Sequence, residues 1–305
     1  MKSRLKYVAV AVVLAFWAAY VYQNWDSFAA ISWRLDPALL VAGFVFYTAF
    51  YLVMGAGWVL SLKALGRKVN FAAALRIWIV STPARYLPGK VWHIAGRAYM
   101  GAEIGISKQD LLVSSFLEHA LAVVGGLIVF LVFAPIGGAV LDRSNLYFLV
   151  LIPVGLALTH PLVLRKLLGL ASRVLHKGPV EIDLAFSRVL GLLVWFAFSH
   201  ILSGISLFLV LAAITPTPLS LLPAIVGISA FAWVLGLVTL ITPGGIGVRE
   251  TTIVLLGSAL AAVPAISAAA FVTRFISVIS EACLVAASTV LLGREKEVEA
   301  RERGL

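Results

Sequence analysis

The amino-acid sequence predicts an all-α fold, a polytopic membrane bundle of about 6–8 transmembrane segments. Hydrophobic residues make up 62% of the 305-residue chain and charged residues only 12%, with a mean hydropathy of +1.04. An ordinary soluble domain is about 25% charged, and a soluble core of this size has no room for so much apolar surface. The composition therefore excludes a cytosolic enzyme, a nucleic-acid-binding module and a disordered chain.

Six apolar runs are long enough to be predicted as spanning helices. They cover roughly 7–22, 38–62, 111–134, 146–164, 189–213 and 266–292. The first run follows a basic start without a clear cleavage site, so we interpret it as an uncleaved helix. We expect residues 1–293 to form a single integral membrane domain and residues 294–305 to form a short charged cytoplasmic tail. The single cysteine, Cys283, excludes an internal disulfide and a cysteine-rich metal site, and no cofactor or metal is expected.

The lysines and arginines are distributed unevenly between alternate loops. Fifteen lie in the N-terminal segment, after the second predicted helix, in the 165–188 linker and in the tail, whereas the alternate loops hold only Arg34 and Arg143. Short cytoplasmic loops carry the excess of positive charge. Both termini are therefore predicted to be cytoplasmic, in the inner (cytoplasmic) membrane. The remaining seven cations lie in or beside apolar segments.

Two further apolar stretches, 71–88 and 219–263, are interrupted at matching places in the two halves of the chain. Proline breaks a helix, and glycine lets the backbone turn sharply. We expect hairpin turns at these interruptions, at Pro88, Gly89, Pro243, Gly244, Gly245 and Gly247.

The charge pattern gives the two halves, 38–134 and 189–292, opposite topology. They would then form an inverted repeat with two Pro-Gly-interrupted re-entrant hairpins, an arrangement that points to the binding site of a transporter. In the alternative interpretation, 219–242 spans the membrane outright and 71–88 is an amphipathic helix in the interface.

Ionisable side chains within the apolar segments are the candidate functional residues, because an intramembrane arginine costs about 3 kcal/mol on insertion scales. Guanidinium suits phosphate geometrically, and a broken helix leaves free backbone amides. The expected phosphate-binding cations are Arg85, Lys90, Arg97, Arg249 and Arg274, with His93 beside the first three. The alternative is that they contact lipid phosphates non-specifically at the interface.

Three glutamates are expected to position these cations or to exchange partners during transport: Glu118, Glu250 and Glu281. Plausible pairs between the halves are Arg274 with Glu118 and Arg249 with Glu281, although purely structural pairing is an equal alternative. A proton-coupling role for Glu118, His119 or Glu281 has no support in the sequence. Five tryptophans are interpreted as belt or packing residues: Trp58, Trp78, Trp92, Trp195 and Trp233.

Two segments resemble a known family. RYLPGKVWHIAGRAYMGAEIGISKQDLLVSSFLEHAL at 85–121 and ITPGGIGVRETTIVLL at 241–256 are similar to the lysylphosphatidylglycerol synthase transmembrane family, which includes the flippase-type membrane half of the multiple peptide resistance factor. The resemblance covers nearly the whole chain, but its specificity lies in these two motifs. The matching positions are Arg85, Pro88, Gly89, Lys90, Arg97, Gly105, Ile106, Ser107, Glu118, Pro243, Gly244, Gly245, Gly247, Glu250 and, later in the chain, Arg274.

The resemblance implies a membrane domain that moves an amphiphilic lipid between leaflets. In multi-domain relatives a soluble aminoacyl-transfer domain follows, whereas this chain ends at Leu305. Lysine transfer is therefore not expected, and a transporter is expected rather than an enzyme. Stand-alone members of the family are often described as glycosyltransferases or as accessory proteins of surface-polysaccharide or polyprenyl-lipid pathways.

Three functions follow as hypotheses from these observations. The leading one is a flippase-like translocase of an anionic phosphate-headgroup lipid, a phospholipid or a polyprenyl-phosphate-linked lipid, in cell-envelope biogenesis. The alternatives are a membrane glycosyltransferase, for which Asp26 or Asp36 would supply the catalytic carboxylate, and a scaffold of an envelope-synthesis complex. The expected partners are a membrane lipid and envelope-synthesis enzymes, without nucleic acid, while the oligomeric state is not predicted.

Overall fold

The computed structural model of the chain describes residue 22 and residues 25–29, 35–87, 91–137, 185–239 and 242–302. These residues are almost entirely helical and contain no strand, which confirms the predicted all-α class. The eight longer helices among them are α1 (Pro37–Ala64), α2 (Phe71–Ser81), α3 (Trp92–Glu103), α4 (Lys108–Phe133), α5 (Phe186–Ile214), α6 (Leu222–Val238), α7 (Val248–Gly257) and α8 (Val263–Glu302). Shorter helical turns are Trp25–Ala29, Thr82–Tyr86, Ala134–Gly137, Leu219–Leu221 and Pro243–Gly245.

Five helical segments of the described residues are long and apolar enough to cross a membrane: Pro37–Ala64, Lys108–Ile136, Phe186–Ile214, Leu219–Val238 and Val263–Val290. Four of them coincide with predicted spans. The predicted helix at 146–164 and all but the last residue of 7–22 lie outside the described residues. The chain is therefore a multi-pass helical bundle, and α8 continues as a helix into the predicted tail.

Side-chain caps define where three of the helices begin. The Asp36 carboxylate accepts a hydrogen bond from the amide of Ala38 at 2.9 Å and so caps α1. Asn70 caps α2 and Ser107 caps α4 in the same way. Such caps satisfy amides that have no partner within the helix.

The predicted interruptions end α2 and α6. Leu87 is extended, with φ −75° and ψ 144°, as expected for a residue that precedes proline. After α6, Gly244 adopts a φ of +59°, a conformation that favours glycine. The turn at Thr82–Tyr86, which precedes the first interruption, contacts the turn at Pro243–Gly245, so the two halves meet at these turns.

Glycines allow the long helices to pack closely. A Cβ atom on Gly125 of α4 would lie 2.9 Å from the backbone nitrogen of Ala197 in α5. A Cβ atom on Gly204 of α5 would lie 2.5 Å from the Cα of Val226 in α6. Small residues at such contacts are typical of membrane helices, whose association depends on close backbone approach. Helices α4, α5 and α6 therefore pack together, and α1 and α8 pack against α5.

Helix lengths do not decide between the two interpretations of the interrupted segments. α2 has 11 residues and is too short to span, whereas Leu219–Val238 is long enough to do so. The paired hairpins and the inverted repeat therefore remain predictions.

We predict that Gly125→Ala lowers the stability of the bundle by about 1–3 kcal/mol, because the added methyl group meets backbone that cannot move away. Gly191→Ala is the matched control, since Gly191 lies in α5 with nothing within 4 Å of its Cβ position. Thermal unfolding of the purified protein in detergent measures both. Equal melting temperatures for the two variants would contradict the close contact.

Candidate functional site

Buried charges gather where the turns of the two halves meet. Burying a charge in an apolar bundle is costly unless it is paired. The cluster is formed by the arginines Arg85, Arg97, Arg249 and Arg274 and the glutamates Glu118, Glu250 and Glu281.

The first ion pair joins Arg97 of α3 to Glu118 of α4, and both side chains are buried. The Arg97 guanidinium donates to one carboxylate oxygen of Glu118, and the indole Nε1 of Trp78 donates to the other at 2.7 Å. Arg97 also lies between the rings of Trp58 and Trp78, at 5.3 and 5.4 Å from their centroids. The charge of Glu118 is thus compensated within the first half of the chain.

The second ion pair connects the halves. Arg85, after α2, donates to the carboxylate of Glu281 in α8 at 2.7 Å. The hydroxyl of Tyr86 donates to the same oxygen at 3.1 Å, and Tyr51 accepts from Arg85. A Cβ atom on Gly244 would lie 2.6 Å from the ring of Tyr86, so the second-half turn packs directly on this pair.

The third ion pair lies within the second half. Arg274 Nε of α8 is 3.5 Å from Glu250 Oε1 of α7, and its terminal nitrogen donates to the carbonyl of Gly244 at 2.8 Å. The other oxygen of Glu250 accepts from the amide of Gly247 at 2.6 Å. Glu250 therefore both caps α7 and neutralises Arg274.

The observed pairs differ from the predicted ones. Pairing of Arg274 with Glu118 and of Arg249 with Glu281 is wrong, because these glutamates are held by Arg97 and Arg85. The partners lie on segments whose packing the sequence does not define: Arg97 on the short helix α3, Arg85 in the turn before it, and Glu250 on the short helix α7. Among the described residues, the pair that joins the halves is Arg85 with Glu281, which the sequence did not predict.

Arg249 forms no salt bridge with a carboxylate of the described residues. Its guanidinium lies over the ring of Trp233, 5.5 Å from the centroid, and its Nε is buried without a hydrogen-bond partner. A Cβ atom on Gly236 would lie 2.5 Å from the Cγ of Arg249, so this glycine makes room for the side chain. The cluster holds four arginines and three glutamates, which leaves one positive charge uncompensated.

Two cavities flank Arg249 and Trp233. The larger, about 60 Å³, is lined by residues from both halves, including Arg85, Arg97, Glu118 and Gly244. The smaller, about 30 Å³, shares Arg249 and Trp233 with the larger and is also lined by Ser203, Ser229, Glu250, Thr273 and Arg274 among others. A water molecule needs about 10–15 Å³ measured in this way. The larger cavity can therefore hold a few waters or a small anionic group, but not a whole lipid.

Two histidines form part of the wall of the larger cavity. His93 Nε2 of α3 lies 3.2 Å from His119 Nε2 of α4. His119 Nδ1 lies 2.6 Å from the backbone carbonyl of Ser115, and His93 Nδ1 is buried without a hydrogen-bond partner. Burial, together with His119, Arg97 and Arg85, lowers the pKa of His93 well below its usual range.

The structure brings most of the predicted site residues together. Arg85, Arg97 and Arg249 line the larger cavity and Arg274 lines the smaller one, whereas Pro88, Gly89 and Lys90 lie outside the described residues. The carboxylate of Asp36 caps α1, and the exposed Asp26 does not line either cavity.

Five aromatic residues of the site were not predicted to have a role there. Trp58 lies against Arg97, Trp78 donates to Glu118 and Trp233 lies against Arg249, although the sequence pattern assigned all three to belts or packing. Tyr51 and Tyr86 bind the Arg85 guanidinium. Only the proximity of Tyr86 to Arg85 along the chain could have suggested this contact.

These features define a multi-pass helical membrane protein with a charged internal site. Residues 5–284 match the family described as Lysylphosphatidylglycerol synthase TM region. The match covers most of the chain, so the protein belongs to this family, as the two motifs indicated. No curated protein matches the chain.

We predict that Glu118→Gln destabilises the protein by about 3–5 kcal/mol, because it leaves Arg97 buried without a compensating charge. The matched control is Arg67→Gln, which breaks the half-exposed pair with Asp110 and should cost about 1 kcal/mol or less. Thermal unfolding in detergent measures both variants. If Glu118→Gln unfolds at the same temperature as Arg67→Gln, the buried pair does not stabilise the fold.

Proposed function

We propose that the protein is a flippase-like translocase of a lipid with an anionic phosphate headgroup, a phospholipid or a polyprenyl-phosphate-linked lipid, in cell-envelope biogenesis. The observation that carries the proposal is Arg249, a buried cation that lines both cavities and has no carboxylate partner among the described residues. Membership of the family supports a membrane protein of lipid or envelope biology. The lipid phosphate is the ligand that this cation would bind.

The charge balance of the cluster supports an anionic ligand. With three of the arginines paired, Arg249 leaves the site positive, and stacking on Trp233 offsets only part of the cost of burying a guanidinium. A phosphate oxygen would supply the missing negative charge and a hydrogen-bond acceptor for the planar guanidinium. Arg85, Arg97 and Arg274 would then keep their glutamates, and Arg249 would supply the net positive charge that faces the phosphate.

The two cavities suggest a path through the bundle for the lipid headgroup. Arg249 and Trp233 line both of them, so a phosphate bound to Arg249 would lie at the boundary between them. The Arg85–Glu281 pair joins the two halves beside this boundary. We expect the Arg85–Glu281 pair to separate or exchange partners when access to the site switches from one side of the membrane to the other.

The arrangement of helices and charges supports an inverted repeat. In each half a long helix is followed by two shorter segments and then by another long helix. In the first half the short helix carries Arg97 and the long helix Glu118, whereas in the second half the short helix carries Glu250 and the long helix Arg274. We propose that these halves form paired hairpins around the site in the inner membrane, with both termini cytoplasmic. Envelope-synthesis enzymes are the proposed partners.

We predict that Arg249→Gln slows lipid translocation about tenfold or more. A hydrogen bond to a charged group contributes about 1.5–3 kcal/mol, and about 1.4 kcal/mol corresponds to a factor of ten. The measurement is leaflet accessibility of labelled phosphatidylglycerol and a labelled polyprenyl phosphate in proteoliposomes. Arg249→Lys should recover part of the rate, because it keeps the charge but not the planar fork.

The control for this experiment is Arg67→Gln, which removes an arginine that does not line either cavity. It should translocate both lipids at the unaltered rate. Gly236→Ala tests the position of Arg249 without removing its charge, because the new methyl group would displace the side chain. Full activity of folded Arg249→Gln, or no movement of either lipid by the unaltered protein, would refute the proposal.

A further inference from the structure

The histidine pair on the wall of the larger cavity has no role in the binding of phosphate by Arg249. His93 and His119 come from different helices and meet through their Nε2 atoms. Both line the cavity that Arg249 lines. Polar side chains buried at such a place are costly, and in membrane proteins they mark the paths of substrates, ions or protons.

Hydrogen bonding defines which nitrogens of the pair carry protons. A backbone carbonyl only accepts, so His119 Nδ1 must donate to the carbonyl of Ser115. In a neutral His119 the Nε2 atom is then an acceptor, and the hydrogen bond between the rings requires His93 to donate from its Nε2. The pair is left with one free lone pair, on His93 Nδ1, which is buried and has no hydrogen-bond partner.

The cations around the histidine pair oppose its protonation, so the arrival of an anion would favour protonation of the pair. Arg85, Arg97 and Arg249 line the same cavity and oppose a further positive charge. Glu118 lies 3.8 Å from His119 Nδ1, but its two oxygens already accept from Arg97 and Trp78. The other ionisable group on the cavity wall is Tyr51, which accepts from Arg85. A phosphate in the cavity would add the negative charge that an imidazolium needs.

We propose that the His93–His119 pair binds one proton together with the phosphate group, so that lipid movement is coupled to proton movement in the same direction. The added proton is held on His93 Nδ1, and its charge is shared with His119 through the bond between the rings. This inference rests on the proposed function and adds that the proton is the ion that drives lipid movement. The two binding events are linked. A bound proton raises the affinity for phosphate, and a bound phosphate raises the affinity for the proton by the same factor.

A pH gradient across proteoliposomes tests the coupling. With labelled phosphatidylglycerol as the probe, one proton per lipid predicts that the lipid accumulates in the leaflet facing the alkaline side, by roughly tenfold per pH unit at equilibrium. An equal distribution between the leaflets under the gradient, with lipid still moving, would overturn the inference and leave the proposed function intact. No lipid movement by the unaltered protein would overturn both.

Variants assign the proton site. His93→Gln/His119→Gln should still equilibrate the lipid between leaflets but should lose the accumulation driven by the gradient. His200→Gln is the matched control, since His200 bonds to the carbonyl of Ala122 and does not line the cavity. It should keep the accumulation. A folded double variant that keeps it would overturn the assignment to this pair.

A second measurement needs no variant. Short-chain phosphatidylglycerol added to the purified protein in detergent should cause proton uptake that approaches one proton per bound lipid as the pH is lowered, detected by a pH indicator in weak buffer. Affinity should rise as the pH falls, because the bound state holds the additional proton. Binding without proton uptake would overturn the inference, whether or not the variants fold.

Discussion

Burial of guanidinium groups inside an apolar bundle is the constraint on which the rest of the structure depends. A charge in such surroundings must be paired, or the protein must gain something from leaving it unpaired. Three of the four arginines of the cluster have a glutamate partner, and the partners come from the helices that follow the two interruptions or from the other half. The interruptions, the glycines at them and the aromatic rings all serve to bring these groups together.

The three ion pairs and Arg249, which has no carboxylate partner in the part of the chain that the structure describes, have different roles. The pairs of Arg97 with Glu118 and of Arg274 with Glu250 each lie within one half and stabilise it. The pair of Arg85 with Glu281 joins the halves, so a change in it would change how they sit together. Arg249 lies over the ring of Trp233 and occupies the space that the missing side chain of Gly236 provides. Its charge is therefore available to a ligand.

Much of the fold could be predicted from the sequence, because apolar runs of sufficient length have few alternatives to spanning helices. The charged residues that cluster in the bundle could also be predicted, since ionisable side chains in such runs face the interior. Their pairing could not. It depends on how the short helices α3 and α7 turn after the interruptions, and this places Arg97 beside Glu118 rather than leaving Glu118 for Arg274. The roles of Trp78 and Trp233 were missed because an indole serves equally in a belt, in packing or as a hydrogen-bond donor.

The most direct test of the central claim is an electron cryomicroscopy structure of the full chain in nanodiscs that contain phosphatidylglycerol. The account predicts density for a lipid phosphate within hydrogen-bond distance, about 3 Å, of the Arg249 guanidinium, with Arg85, Arg97 and Arg274 still facing their glutamates. Density for a carboxylate of the protein against Arg249, or lipid phosphate bound only outside the two cavities, would contradict it.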